Sequence, residues 1–414
     1  MKLRIHRRTG QIGWSILEVS TDKTRIMFDC GANLPVLDDR QYEDTVEIPG
    51  LTRGKSAFDA LFIAHYHFDH CGLMDQINGD IPVYAGSETK EVLGIVSDFV
   101  SSPPVAARIQ VMEPGFPIQI GDIRVLPVAV RHSALGAMMF LIESGKRKVL
   151  YAGDFGDLDI VDYGAMAGVD VMVCEGTNIN SPGSVYEQDL EFAASRVMKS
   201  TPSNVFVLCQ TANIDRIESI YNACGRSGRT LAVDPFTKAV TDRISSINIS
   251  SAIGFTPNLI NEAKSSRTDK YILEGKMKFD SVIDIAKRRD LVCLVRTTLG
   301  DFLRLLYRNN KDSISGGTLI YSIWDGYKRA KPVQDFLLLC ESCGMKITDL
   351  NASGHAARSQ METAISHVRP RAIVPIHTES VNEFRALHNN VVSLREKESF
   401  DVEFRIDDKW TLPS

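Results

Sequence analysis

Residues 65–70 read His-Tyr-His-Phe-Asp-His and follow directly on the apolar run ALFIA. Three imidazoles and a carboxylate in six positions are hard to accommodate as core or as a solvated face. Burying them without a cation leaves several polar groups unpaired. A metal site is the economical account. In the pattern H-x-H-x-D-H, His65 and His67 can grip one ion from a loop while Asp69 and His70 turn toward a second. Imidazole and carboxylate donors suit Zn²⁺, with Mn²⁺ the alternative where oxygen donors dominate. Two ions need more donors than one loop supplies. His132, after IRVLPVAV, and Asp154, in the phrase YAGDF, stand at the ends of strand-like segments and are the candidates. A carboxylate such as Asp154 has two oxygens and can bridge ions about 3.5–4 Å apart, the spacing that clamps attacking and leaving oxygens in hydrolysis. Taken alone, His132 reads equally as a core histidine, and Asp154 as a turn aspartate before Gly156.

The elements that must position these residues fall into two rhythms. To about Thr177 the chain reads as short strands separated by turns: WSILEVS, TRIMFDC, ALFIAHY, IPVYAG, IRVLPVAV, MMFLIES, KVLYAGD and VDVMVCEG, with little helical pattern. From about Asn178 helix and strand alternate, the signature of βαβ units on a largely parallel sheet. Ser184 and Glu187 are spaced as a capping box for a helix whose face carries Tyr186, Leu190, Ala193, Ala194 and Val197. Ile214, Ile217, Tyr221 and Cys224 line the next helix, which Gly225 can close. After about Asn351 come SGHA, a helix over Arg358 to Val368, the strand RAIVPIH and a further helix. If this last segment completes the metal site, the middle of the chain is an insertion whose ends lie close together.

Length and composition agree. The 414 residues exceed one typical domain, so two units are expected. A net charge of -5 gives no global basic field, so any nucleic-acid partner must be held by a local patch. Eight scattered cysteines in apolar runs suit buried free thiols in a reducing cytosol. Cys340 and Cys343 form a C-x-x-C without a second pair or a histidine, which reads as the end of a helix closed by Gly344. The N-terminus has charge but no apolar h-region, and no run of about 18 apolar residues occurs. A cytoplasmic protein without a membrane partner is expected.

DCGANL at 29–34, HYHFDH at 65–70, RHS at 131–133 and YAGDF at 151–155 resemble, in order and spacing, successive motifs of the metallo-β-lactamase superfamily. CEGTN at 174–178, SGHA at 353–356 and PIHTE at 375–379 further resemble the three extra motifs of its β-CASP subfamily, which includes the ribonuclease J family and shorter prokaryotic RNA-processing members. The resemblance covers nearly the whole chain. It implies an α/β fold: an αββα metallo-β-lactamase sandwich over 1–179 and 349–414, with a doubly wound α/β β-CASP domain inserted over 180–348. It also implies that His65, His67, His132 and Asp154 hold one metal, and Asp69, His70, Asp154 and His377 the other. Asp29 would orient a ligand by hydrogen bonding, as metal-bound histidines require; alone it fits a strand-end turn before Gly31.

A water shared by two divalent ions loses a proton near neutral pH and becomes a hydroxide nucleophile, while the ions neutralise phosphate charge. Phosphodiester hydrolysis follows, and the resemblance implies a two-metal ribonuclease, endonucleolytic or 5′-to-3′ exonucleolytic, that leaves 5′-phosphates on single-stranded RNA. His355 is the candidate general acid, a role the resemblance also gives it. Glu175 would hydrogen-bond it and raise its pKa, and Ser353 could hold a phosphate oxygen. Otherwise His355 caps the helix that starts near Arg358. Basic residues are frequent from Arg216 to Arg289, some expected at phosphates. Tyr321, Trp324 and Tyr327 read either as base-stacking residues or as packing between domains. His377 resembles the RNA-processing branch, and a homodimer follows from the resemblance alone. The chain stops soon after PIHTE, so the further C-terminal domain of longer members is expected to be absent. Competing readings are a DNase or nucleotide phosphodiesterase, a hydrolase of small esters or thioesters, and a non-catalytic RNA-binding member.

Overall fold

The computed structural model describes residues 1–6, 10–34, 45–100, 104–157, 159–244, 249–256 and 279–402. Six of its strands are buried along their whole length, and a strand buried on both faces needs a layer on each side. Alternate side chains meet that need by entering different cores.

One sheet has seven strands in the spatial order Ser399–Asp401, Lys2–Ile5, Leu17–Ser20, Arg25–Phe28, Ala60–Phe62, Val83–Ala85, Ile109–Val111. A second has six, in the order Ala372–Ile376, Val171–Glu175, Arg147–Tyr151, Met138–Ser144, Ile123–Ala129, Ile118–Ile120. Leu17, Val19, Phe28 and Phe62 from the first pack against Val125, Phe140, Tyr151 and Val173 from the second. Met27, Leu61 and Ile63 point to the outer side of the first sheet, with Leu73, Met74 and Ile77. Met139, Leu141, Leu150 and Met172 point out from the second, where Met361, Ala364, Ile365 and Val368 of the helix Arg358–Val368 cover them. This is the layered sandwich the motifs imply.

Seven parallel strands make the third sheet, in the order Phe279–Asp280, Ile253–Phe255, Thr230–Val233, Leu291–Val295, Val205–Leu208, Thr318–Tyr321, Lys346–Asp349. The strand Leu291–Val295 returns to lie between Val205–Leu208 and Thr230–Val233, the reversal of order found in doubly wound sheets. Val205 and Val207 enter one core with Leu190, Ile217 and Ile220, while Phe206 and Leu208 enter another with Phe302 and Phe336. The strand Ala372–Ile376 then rejoins the second sheet beside Val171–Glu175. Asn178 and Ala357 form a parallel bridge, so the chain leaves and re-enters the sandwich at one place. Among the described residues no helix is long and apolar enough to cross a membrane.

Several local expectations need correction. Ser184 does not cap the helix Glu187–Ser200: its hydroxyl donates to Gln360, and Glu187 turns its carboxylate to Arg216. The helix Ile214–Ser227 runs through Gly225 and ends at Gly228, whose φ of 70° supplies the left-handed cap. The segment after PIHTE forms only a 3₁₀ stretch, Val381–Ala386, not a full helix. The helix Ser87–Val100 lies in the part read as strands. Its β-branched residues and Gly94 give little helical propensity, and burial of Val92 and Ile95 against the inserted unit decides its form. Cys340 and Cys343 are buried and unpaired at a helix end, as are the other six thiols elsewhere.

Arg216 joins the inserted unit to the returning chain. It is 1% exposed, and its guanidinium donates to Glu187, to the Ser322 carbonyl and hydroxyl, to Asn351 and to the Ala352 carbonyl. It is therefore a structural tie and not a phosphate contact. Removing one partner of such a buried network leaves the others unpaired. Arg216→Ala should lower the unfolding free energy by about 3–5 kcal/mol, and Arg216→Lys should recover little because an ammonium lacks the planar fork. Urea unfolding followed by circular dichroism measures this; wild-type midpoints in both variants would contradict the role.

Candidate metal centre

Each candidate ligand follows the end of a strand. Asp29 comes after Arg25–Phe28, His65 after Ala60–Phe62, His132 after Ile123–Ala129, Asp154 after Arg147–Tyr151, and His377 after Ala372–Ile376, while Glu175 ends Val171–Glu175. These strands run in one direction, so their ends meet at one edge of the sandwich.

The 65–70 loop is fixed by its backbone. The carbonyls of Phe68, Asp69 and His70 accept from the amides of Ala32, Ser15 and Cys30. Gly31 sits within this lattice, where a Cβ would lie 1.7 Å from the Asp69 carbonyl, so only glycine allows the approach. Asp29 (φ 58°) and His377 (φ 51°) are two of five non-glycine residues with positive φ among the described residues, so strained backbone is concentrated at this site.

The side chains gather in overlapping groups. Donor atoms of His65, His67 and His132 lie within 4.8 Å of one another, as do those of Asp69, His70, Asp154 and His377. A third set joins Asp154 and His377 to Glu175 and His355. Asp154 Oδ2 is 3.0 Å from His70 Nε2, 3.6 Å from His377 Nε2 and 3.8 Å from His132 Nε2, which makes it the hub. Asp29 accepts from His70 Nδ1 at 2.7 Å, from the Ala64 amide at 2.7 Å and from the Tyr151 hydroxyl at 2.5 Å. His132 Nδ1 donates to the Gly354 carbonyl at 2.8 Å, so SGHA helps to hold the His132 ring. Gly354 is required there, since a Cβ would meet Ser133.

Does this set fit a cation? Both ring nitrogens of His65, Nε2 of His67 and Oδ1 of Asp154 are buried and make no hydrogen bond. Buried polar atoms of this kind are rare and costly unless something absent from the polypeptide satisfies them. Burial, and then the neighbouring histidines, depress the pKa of His65, that of His67 to about 3 and that of His132 to about 4, which favours neutral imidazoles with free lone pairs. Burial pushes the Asp69 and Asp154 carboxyls up, but surrounding histidines outweigh it and hold both low. Neutral imidazoles at His65, His67 and His132 beside ionised carboxylates are donors a divalent metal uses. At His70 burial disfavours the imidazolium, but the Asp154 and Asp29 carboxylates overcome it and raise the pKa, so that ring must give up a proton to bind.

His355 stands apart from the ligands. Its side chain is 19% exposed, its Nδ1 lies 3.1 Å from each Glu175 oxygen, and Asp154 Oδ2 is 3.7 Å away. Burial disfavours the imidazolium, but the Glu175 and Asp154 carboxylates overcome this and raise its pKa to about 9. His355 caps no helix: the helix Arg358–Val368 is entered at Ala357, whose amide donates to Gln360. Ser353 Oγ accepts from Asn178 at 2.7 Å and from the His355 amide at 3.2 Å, leaving its hydroxyl hydrogen available.

The contacts of three residues escaped the sequence reading although the residues lie within the quoted motifs. Thr177 Oγ is 2.8 Å from His377 Nδ1. Asn178 also donates to the His355 carbonyl at 3.2 Å. Tyr66 donates to the Ala212 carbonyl at 2.7 Å and accepts from the Leu135 amide at 2.9 Å, tying the metal loop to the inserted unit. The basic residues expected at phosphates are already engaged where described. Arg226 pairs with Glu191, Arg243 with Glu91, Arg288 with Asp290, Arg289 with Asp312, Lys287 with Asp284 and Lys238 with Asp242. Arg229 donates to backbone carbonyls. Lys264, Arg267, Lys270, Lys276 and Lys278 lie outside the described residues. Tyr321 is core, 1% exposed with its hydroxyl on the Trp324 carbonyl, and cannot stack a base; Trp324 and Tyr327 are half-buried and meet edge to face at 5.5 Å.

Comparison with known proteins adds to this geometry. Residues 24–203 match a beta-lactamase superfamily domain, and residues 344–388 match a Zn-dependent metallo-hydrolase RNA specificity domain. Ribonuclease J of Mycolicibacterium smegmatis is 24% identical over 388 residues, covering 85% of this chain and 64% of that protein. Ribonuclease J of Helicobacter pylori is 21% identical over 400 residues, covering 89% and 54%. Integrator complex subunit 11 of Danio rerio is 27% identical over 165 residues, 35% of this chain and 28% of that one. The chain thus spans less than two thirds of these relatives. A crystal structure of a protein of unknown function from Enterococcus faecalis V583 shares the fold at a TM-score of 0.75 and 20% identity, covering 96% of this chain and 99% of that one. With the motifs converging at one edge of the sandwich, these matches make the chain ribonuclease-J-like, a metallo-β-lactamase fold that carries the extra motifs of the β-CASP subfamily and the donor set of a metal-dependent hydrolase.

Proposed function

We propose that this chain is a two-metal-dependent ribonuclease that cuts single-stranded RNA to leave 5′-phosphate ends. The observation that carries this reading is the Glu175–His355 pair, set 3.1 Å apart beside the hub carboxylate of Asp154. A hydrolysis at phosphorus needs both a charge-stabilising centre and a proton for the departing sugar oxygen, and the site offers the two side by side. His65, His67, His132 and Asp154 would hold one ion and Asp69, His70, Asp154 and His377 the other, with Zn²⁺ the better match to five imidazoles and Mn²⁺ the alternative. Bound there, the ions supply an activated water and neutralise phosphate charge.

The rest is the work of side chains. Glu175 takes Nδ1 of His355, so Nε2 is the nitrogen free to give its proton to the leaving oxygen. Ser353, its oxygen already accepting from Asn178 and His355, has one hydrogen to donate to a phosphate oxygen. Asp29 keeps His70 turned inward. We take residues 180–348 as the inserted unit that closes the RNA groove over the edge where these groups meet. The buried, unpaired thiols suit a reducing cytoplasm, and a homodimer is carried by the family alone.

Metal loading tests the centre first. Wild-type protein should take up two zinc or manganese ions by mass spectrometry. At a free metal concentration about 100 times the Kd, each bound ion should stabilise the fold by roughly 2.7 kcal/mol, and Asp154→Ala should lose both effects. Wild-type uptake by Asp154→Ala would remove the hub. Catalysis is tested with end-labelled RNA. Asp69→Ala should stop cutting through metal loss, whereas His355→Ala should keep both ions and cut about 10²–10⁴ times more slowly. Product ladders report direction and end chemistry, and parallel single-stranded DNA and a simple phosphodiester separate the nuclease classes. Bound but uncut RNA on metal-replete wild type would favour a non-catalytic role and sink the proposal.

A further inference from the structure

His377 must hold a left-handed backbone at the end of Ala372–Ile376 and aim one ring nitrogen into the cluster. The residue that fixes it comes from the adjacent parallel strand, where Glu175 lies in register with Ile376. Thr177 Oγ is 2.8 Å from His377 Nδ1 and donates to the carbonyl oxygen of the same residue at 3.3 Å. A hydroxyl has one hydrogen, so with that hydrogen on the carbonyl its lone pairs accept from Nδ1–H. Thr177 thereby holds Nδ1, and Nε2 faces Asp69, 3.0 Å away and within hydrogen-bond distance of its carboxylate, and Asp154, 3.6 Å away, so Nε2 is the nitrogen turned toward the metal cluster. The backbone amide of Thr177 donates to Glu175 Oε2 at 3.1 Å, the carboxylate that holds His355.

We propose that Thr177 is a positioning residue: its hydroxyl fixes His377 as an Nε2-directed ligand of the ion shared with Asp69, His70 and Asp154, while its amide sets the carboxylate that presents His355. The proposal rests on the metal-centre reading above. The two functions of Thr177 are separable, because substitution removes the hydroxyl and leaves the amide. Thr177→Val keeps shape and volume but cannot bond Nδ1, and Thr177→Ser keeps the hydroxyl.

Zinc affinity, read by competition with a chromophoric chelator and by native mass spectrometry, distinguishes positioning from a merely structural role. In Thr177→Val one of the two ions should bind about 10–100 times more weakly, with the other unchanged. Thr177→Ser should restore it, and Thr177→Val should add no further loss in a His377→Ala background. Nitrogen-15 spectra of the zinc-loaded protein should show His377 bound through Nε2 with its hydrogen on Nδ1 in wild type, and loss of that single signature in Thr177→Val. If Thr177→Val does not fold, Thr177→Ala carries the same expectation. Wild-type affinity for both ions in a folded Val or Ala variant, or a lowered melting temperature with affinity intact, would overturn the proposal while leaving the metal centre standing. A wild-type protein that takes up fewer than two ions overturns both.

Discussion

Five imidazoles and two carboxylates share a space at one edge of the sandwich that water barely reaches, and their mutual charge is the constraint on the rest of the fold. Ionised carboxylates out of water need compensation, and lone pairs on His65 and His67 have no donor within the protein. Packing alone does not satisfy such a group. A cation held between these donors removes the penalty, so the site makes sense as one half of a binding equilibrium, and the surrounding structure must hold it open against collapse. The amides of Ser15, Cys30 and Ala32 do this for the 65–70 loop, and the left-handed turns at Asp29 and His377 are the conformational cost.

How far the sequence reveals this depends on whether a property is local. The motif at 65–70, the strand-end positions of His132 and Asp154, and the rhythm of the inserted unit are local, and they were readable from residue type and spacing. The helix Arg358–Val368 has the bounds its apolar spacing predicts. What was not readable depends on partners far away in sequence. Ser184 and Glu187 have the spacing of a cap, but Gln360 and Arg216 compete for their side chains and win. Helix Ser87–Val100 takes its form from the inserted unit that buries Val92 and Ile95. Gly225 and Gly228 both fit a helix end, and only the longer helix carries the chain to Thr230 in register with Leu291. Thr177 and Asn178 sat inside a recognised motif without roles, because a hydroxyl or amide acquires one only when its acceptor is known.

The basic residues show a further limit of residue type. Their frequency between Arg216 and Arg289 leaves open which of them meet phosphates and which only face solvent, and each described member pairs with a carboxylate or a backbone carbonyl. Frequency of charge does not distinguish a free cation from a paired one, and only geometry does. Arg216 is the extreme case, an arginine used as an internal cross-link between the start of one helix, the end of a strand and the returning chain.

That cross-link bears on function because of where the returning chain goes. Asn351 and Ala352, held by Arg216, directly precede Ser353, Gly354 and His355. From the other side, Tyr66 bonds the metal loop to Ala212 of the inserted unit. The inserted unit is therefore fastened on both sides of the cluster, to the 65–70 loop and to the loop that carries His355. Gly354 closes the circuit by accepting from His132. A displacement of the inserted unit cannot shift His355 without straining the bonds to His132 and to Glu175.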